Sequence, residues 1–333
     1  MDWSKGYSAS YYGTFVDAYT WRDLTRFEIT GGSISASDSQ LINSADVNVV
    51  NYDNGERWIR VWLDAKQGES ITHVPMFTGL ATSPKRDING VISSSTLECY
   101  SVLKPAADIL LQRGWYVPAG YKSGDMIKQL LSVIPAPFKE EGVSPYIKQT
   151  IVAEDGETNL SMVTKILNVI GWRLKIDGYG NVTLAEFAAE SSVRYDELWN
   201  DSVEPVLTVE NDWFSCPNVF RAVADDVSAV ARDDSPYSPL STVNRGREVW
   251  EEETNCSLAE TETIAEYADR MLKQAQKSSV KITYDRRYNP YITVGDLITL
   301  NYPKQKIQGM YRITSQSIQL SHGAKTSEEV VEA

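Results

Sequence analysis

The chain has 333 residues, with 45 acidic against 32 basic side chains, a net charge of −13, and 42% apolar residues that include 9 Trp, 18 Tyr and 7 Phe. That length predicts two or three domains with ample core material, which excludes a disordered chain. The acidic surplus argues against stable nucleic-acid binding, because phosphates need a positive field, and no apolar run reaches the roughly 20 residues of a membrane span.

The start, MDWSKGYSASYYG, lacks the basic and apolar regions of a signal peptide and points away from Sec export. From there to about residue 110 the pattern is β. Residues 25–29 read as a short strand ending at Gly31-Gly32, residues 33–44 as a polar, turn-rich stretch, and residues 47–52 as a strand before an Asp53-Asn54-Gly55 turn. Residues 57–64 alternate most clearly. Ile59, Val61 and Leu63 face one way, while Trp58, Arg60 and Trp62 face the other. Two Trp on the polar side imply that both faces are covered, by closure into a barrel or by another subunit. Residues 66–69 turn into a strand at 73–78, residues 84–90 form a charged hairpin tip containing Lys85 and Asp87, and residues 95–102 return.

Residues 111–190 change period. Ser123 starts a helix through Met126, Ile127, Leu130, Leu131 and Ile134, which Pro135 ends. Thr158 or Asn159 starts a second helix with Leu160, Val163, Ile166, Leu167 and Ile170 on one side, stopped by Gly171. Trp172, Leu174 and Ile176 then alternate, residues 177–180 turn, and Val182 and Leu184 continue as the paired strand. The segment is an α/β unit inserted between two β regions.

From about residue 191 strands return at 203–209 and 219–224. Residues 225–246 show no clear period and read as a long loop, open to solvent or ordered by a neighbouring subunit. Ser257 and Glu260 have capping-box spacing ahead of Leu258, Ile264, Ala265, Ala268, Met271, Leu272 and Ala275, so a helix is expected over 257–277, with acids first and bases last along its dipole. Four short strands follow, from Val280, Ile282 and Tyr284 through residues 291–300 and 309–323. The helix is expected to lie against this meander.

Nothing along the chain assembles into catalytic chemistry. His73 and His322 are the two histidines, and neither has metal-ligand spacing to other donors. No Gly-x-Ser-x-Gly elbow and no phosphate-binding Gly loop occurs. Glu251-Glu252-Glu253 invites a glycosidase reading, but adjacent acids on a linker seldom converge to the 5–10 Å that pairing requires. Asp225-Asp226 and Asp233-Asp234 lack the spaced pattern of a calcium loop. Cys99, Cys216 and Cys256 lie far apart and suit buried thiols. No enzyme activity, cofactor or metal is expected. Tyr7, Tyr11, Tyr12, Tyr19 and Trp21 cluster near the start and could stack on sugars.

Residues 294–300 (VGDLITL) and 309–320 (GMYRITSQSIQL), after a capped helix, resemble the C-terminal end of baseplate hub proteins of contractile phage tails. The nearest likeness is to hubs of PBSX-like defective prophages, with those of phage Mu and the T-even phages more distant. Residues 74–108 (VPMFTGLATSPKRDINGVISSSTLECYSVLKPAAD) resemble the hub segment in which a strand leads to a β-hairpin and a polar-aromatic strand. The resemblance implies an α+β, β-rich fold with two tail-tube-like β-barrel domains, at 1–110 and 191–333, around an inserted small α/β region at 111–190. It further implies a structural hub of the virion tail baseplate, assembled in the host cytoplasm. Such a hub is a homotrimer that joins the hexameric tail tube to the trimeric spike and meets other baseplate or tape-measure-associated proteins. The rival expectation is a carbohydrate- or receptor-binding tail module.

Overall fold

The computed structural model describes the chain apart from residues 39–41, 53–54, 83–85, 90–91, 187–192, 197–202, 225–226, 255, 257 and 259–261. Seven strands come first: β1 (Ser8–Val16), β2 (Asp23–Ser37), β3 (Ile42–Val50), β4 (Arg57–Gln67), β5 (Ser70–Thr82), β6 (Arg86–Asn89) and β7 (Ile92–Ser101). The middle holds α1 (Lys104–Asp108), β8 (Tyr116–Val117), α2 (Ser123–Leu130), β9 (Phe138–Glu140), β10 (Ile151–Val152), α3 (Asn159–Ile170), β11 (Trp172–Ile176) and β12 (Val182–Glu186). Then come β13 (Val193–Asp196), β14 (Val203–Asn211), β15 (Val219–Ala224), β16 (Val227–Arg232), α4 (Thr242–Arg245), β17 (Trp250–Thr254), α5 (Ile264–Ser278), β18 (Val280–Arg287), β19 (Leu297–Tyr302), β20 (Ile307–Gln319) and β21 (Lys325–Glu332). The result is a β-rich α+β fold.

In the first part the hydrogen bonding runs round a ring. β1 pairs with β4, β4 with β5, β5 with β7, β7 with β3, β3 with β2, and β2 returns to β1, all antiparallel. Period-two burial puts Val47, Ile59, Val61, Leu63 and Leu97 in one core, each wholly buried. In the last part β14, β18, β21 and β20 follow one another, β19 pairs with β20, and β13 pairs with β19 in parallel. Its own core gathers Tyr195, Ile282, Tyr284, Ile298, Leu300, Ile313 and Val330. The two parts share one sheet, because β2 pairs with β20 from Ser33↔Gln319 to Ser37↔Ser315.

The middle has a separate core, running from Val102 to Leu184. Thr158 and Ser161 form a reciprocal capping box at α3, and Gly171 ends that helix in the left-handed conformation (φ 67°). β11 and β12 are antiparallel, with β9 added in parallel beside β12. Ser123 departs from expectation. It is the first helical residue, after Lys122, and its hydroxyl donates to the Pro145 carbonyl instead of capping.

Several other expectations are corrected. Residues 33–37 are strand, not turn. Ile34 is buried while Ser33 and Ser35 point outward, so the polarity marks an outward face rather than a loop. The last helix begins at Ile264, capped by Thr263 and Glu266; Ser257 and Glu260 lie outside the described residues. Two boxes of the same spacing stand six residues apart in the sequence, and the described helix uses the second. That helix packs its Ala268 and Leu272 against Phe220 and Ala222 of β15, and meets the meander at its C-terminal end, where Lys277 donates to the Ala333 carbonyl at 2.7 Å. Residues 291–296 form a turn, and the strand starts at Leu297. The expected loop at 225–246 contains β16, hydrogen-bonded to β15, and the short helix α4; residues 225 and 226 lie outside the described part. From β16 Ala229 and Ala231 join the helix's cluster while Val227 and Val230 are exposed, so the inward face of that strand carries only small side chains.

Candidate functional site

The groups nominated by chemistry do not converge. His73 is exposed on β5, with Nδ1 2.6 Å from Asp64 Oδ1 directly across on β4. His322 supplies a backbone carbonyl to the Ala9 amide. Glu251, Glu252 and Glu253 lie on strand β17 rather than a linker, so neighbours point to opposite sides. Glu252 pairs with Arg221, and Glu253 accepts the Tyr267 hydroxyl at 2.9 Å. Asp233 and Asp234 accept from Gln276 and Thr242, while Asp225-Asp226 fall outside the described residues. Among the described residues no group of three or more His, Cys, Asp or Glu is placed to hold a metal ion. The three cysteines are free and buried, and desolvation pushes each thiol above its ordinary range, away from the reactive thiolate. No helix among the described residues is long and apolar enough to cross a membrane.

The N-terminal aromatics mostly serve internal joins. The Tyr7 hydroxyl donates to the Tyr288 carbonyl at 2.9 Å, and the Tyr11 hydroxyl to the Ser321 carbonyl at 2.8 Å, so both tie the first part to the last. Tyr12 stacks on Trp62 under the Arg26 guanidinium, and Trp21 meets Trp58 edge-on. Of the five, Tyr19 alone is fully open, at 98% exposure.

The Trp face of β4 is covered by the chain itself, which neither sequence alternative foresaw. The 177–180 turn of the middle region lies on it. Gly178 approaches β5 so closely that a Cβ there would sit 1.8 Å from the Pro75 carbonyl oxygen. Arg60, 2% exposed, donates to Asp23 (2.8 Å), Thr78 (2.9 Å) and the Tyr179 carbonyl (3.1 Å). Trp62 packs edge-on against the Tyr179 ring.

Farther round the sheet the same outward face, reached from Trp58 through Leu80 to Tyr100, is built differently. Residues directly across a sheet share a face. Following the pairings, Tyr100, Ser44, Ser35, Ser317, Ser327 and Asp285 form one row across β7, β3, β2, β20, β21 and β18. Beside it run Ser37, Ser315, Glu329, Thr283 and Thr208. On the other flank Glu98, Asp46, Ser33 and Gln319 follow. A shallow groove of about 480 Å³ lies along these rows. Lys281 pairs with Glu329 (3.1 Å) and Lys325 with Asp285 (2.8 Å), so these two bases are neutralised by acids of the same face. Asp46 and Glu98 face each other with like charge, an arrangement that costs stability and serves no core. The face is polar and dominated by small hydroxyls. Its signal was present as SISAS (33–37) and SQSIQ (315–319), two matched runs of alternating serine whose adjacency needed the fold.

No family model matches the chain, and no curated protein matches its sequence. Solved structures do match its fold. A tail protein from Neisseria meningitidis MC58 superposes with a TM-score of 0.69 at 16% identity, over 98% of this chain and 97% of that one. The fold is that of phage tail proteins. A prophage MuSo2 tail protein from Shewanella oneidensis agrees equally well, with a TM-score of 0.69 at 13% identity over 98% of both chains. An E. coli type VI secretion component, described as structurally similar to the T4 tail proteins gp27 and gp5, matches with a TM-score of 0.55 at 8% identity, over 92% of this chain and 74% of that one. The likeness to tail proteins seen in residues 74–108 and 294–320 therefore extends to the whole fold.

Proposed function

We propose that the chain is a structural baseplate hub of a contractile tail or phage tail-like particle, a homotrimer joining the hexameric tail tube to the trimeric spike. The observation that carries this reading is the pair of β regions fused through β2 and β20 into one sheet with a serine-rich face. The fold shared with phage tail proteins over nearly the whole chain supports it. In this reading residues 1–110 and 191–333 are two tube-like barrels around the insert at 111–190. The first barrel closes through the six-strand ring, and the second is built on β13, β14 and β18 to β21. Two barrels per chain in a trimer supply six quasi-equivalent positions, which match a sixfold tube above and a threefold spike below.

The serine-rich face then lines the channel. Small hydroxyls offer neither apolar anchors nor free cations, so a passing polyanion or polypeptide finds nothing to hold it, and paired or surplus acids repel phosphate. Other baseplate or tape-measure-associated proteins would dock on the outside, and the protein would reside in the virion tail baseplate after assembly in the host cytoplasm. The carbohydrate-binding alternative loses its platform, since four of the five N-terminal aromatics are engaged internally. The deciding experiment is a cryo-electron microscopy map of the assembled particle. Three copies per particle with Ser35 and Ser317 facing the lumen are expected. Six copies per ring make the chain a tube protein instead, and a lumen dominated by Lys and Arg refutes the channel assignment.

A further inference from the structure

The Val294-Gly295-Asp296 turn, the centre of the motif that first suggested a tail protein, has a partner far away in the sequence. Arg173 of β11 is 5% exposed and reaches into this turn. Its Nη1 donates to the Val294 carbonyl at 3.3 Å and its Nη2 to Asp296 Oδ1 at 3.0 Å. Gly295 has φ +83°, and a Cβ there would sit 2.0 Å from Arg173 Nη1, so the guanidinium occupies the space a side chain would need. The turn is pre-organised for this role. Asp296 Oδ2 accepts from the Thr293 amide and hydroxyl, both at 2.9 Å, which leaves Oδ1 for Arg173 and, at 3.6 Å, Lys175. Backbone bonds between Gly295 and Ile313 (2.7 Å) and between Ile313 and Asp296 (3.0 Å) anchor the turn to β20. The other end of the same hairpin is held by the first β region, through Thr78 to the Gly178 carbonyl (2.8 Å) and Arg60 to that of Tyr179. A cavity of about 280 Å³ remains where the three parts meet, lined by Met76, Trp172, Tyr288 and Ile292 among others.

We propose that Arg173 and the Val294-Gly295-Asp296 turn are a plug and socket that locks the middle region to the second β region, making the β11–β12 hairpin a strut that sets the angle between the two β regions. Arg is required because a planar fork can meet a carbonyl and a carboxylate at once, which a Lys ammonium cannot do from the same position. Gly is required twice over, for its backbone angle and for the vacant volume. The inference rests on the contacts alone and stands or falls separately from the hub reading.

The test is the distance distribution between spin labels on Ile71→Cys in the first β region and Met310→Cys in the second, both exposed positions, measured by pulsed electron paramagnetic resonance on the full chain. The otherwise unaltered sequence gives one narrow distance. Arg173→Met gives a broadened or two-component distribution, and Arg173→Lys an intermediate one that stays measurable if the Met variant does not fold. Gly295→Ala also broadens it, by expelling the guanidinium and by straining its own backbone, and adding Gly295→Ala to Arg173→Met contributes only the smaller backbone part. A narrow, unshifted distribution in both Arg173 variants overturns the strut. Full additivity of the Arg173 and Gly295 changes overturns the socket.

Discussion

Glu328→Gln should destabilise the second β region severely. Glu328 and Arg286 lie in its core with side chains 0% and 1% exposed. Arg286 and Gln316 each donate to Glu328 Oε1 at 2.5 Å, and Tyr284 donates to Oε2 at 2.7 Å. An amide at this position keeps the shape but removes the charge that compensates Arg286, and it turns a donor toward donors. Removing one partner of a buried ion pair costs about 3–5 kcal/mol. Folded domains are stable by only about 5–15 kcal/mol, so the loss approaches the whole margin. At roughly 2–4 °C per kcal/mol, unfolding followed by circular dichroism should begin about 10 °C lower or more. The paired replacement Glu328→Met with Arg286→Met should recover most of the loss, because two well-packed apolar residues are often neutral against a buried pair. A loss below about 1 kcal/mol for Glu328→Gln would falsify the claim that the network is a single buried unit.

Gly178→Ala should detach the hairpin tip from β5, since the added methyl meets the Pro75 carbonyl at 1.8 Å; faster hydrogen exchange of the 177–181 turn, with the α3 amides unchanged, is the expected signature. Acid should loosen the loop closed by Glu140. Burial alone would raise that carboxyl, but hydrogen bonds from the Ser144 amide and hydroxyl and from Lys122 prevail and hold it below its ordinary 4.5. A depressed carboxyl contributes stability above pH 4.5 that is lost as pH falls through its folded value. Exchange at 140–144 should therefore rise as the pH falls below the ordinary 4.5 and should lose this pH dependence in Glu140→Gln; an unchanged profile in that variant refutes the assignment. Ser35→Arg with Ser317→Arg should leave the fold intact, because both side chains point outward, yet should give the assembled ring salt-sensitive DNA binding. No binding in that double variant argues that the serine rows do not face the lumen. Purified protein should neither clear peptidoglycan in a zymogram nor release reducing sugar, and activity abolished by one Asp or Glu change would defeat the structural reading.

The elements legible from the sequence were those with strong contrast between two faces. Residues 57–64 alternate large apolar and polar groups, and α3 carries a cap, a stripe and a terminating Gly171, so local physics decided both. β18 and β20 were readable for the same reason, although their neighbours in the sheet were not, and β21 carried no pattern that announced it. Local pattern failed where contrast was low. SISAS looked like a turn because serine suits loops and outward strand faces alike, and the alanines of β16 left that strand hidden in a long polar stretch. Between two equally spaced capping boxes, only packing against β15 selected the start at Ile264. The site was less legible still. Its serine rows come from strands some 280 residues apart, joined through Ser33↔Gln319 and Ser37↔Ser315, and long-range register is not written in either strand alone. The same holds for Arg173 and Asp296, 123 residues apart. Sequence determined which segments could be strand or helix and that no catalytic constellation stood at short spacing. Tertiary structure decided which faces are covered and by what, because cross-strand pairing and domain docking are made between residues that no local period connects.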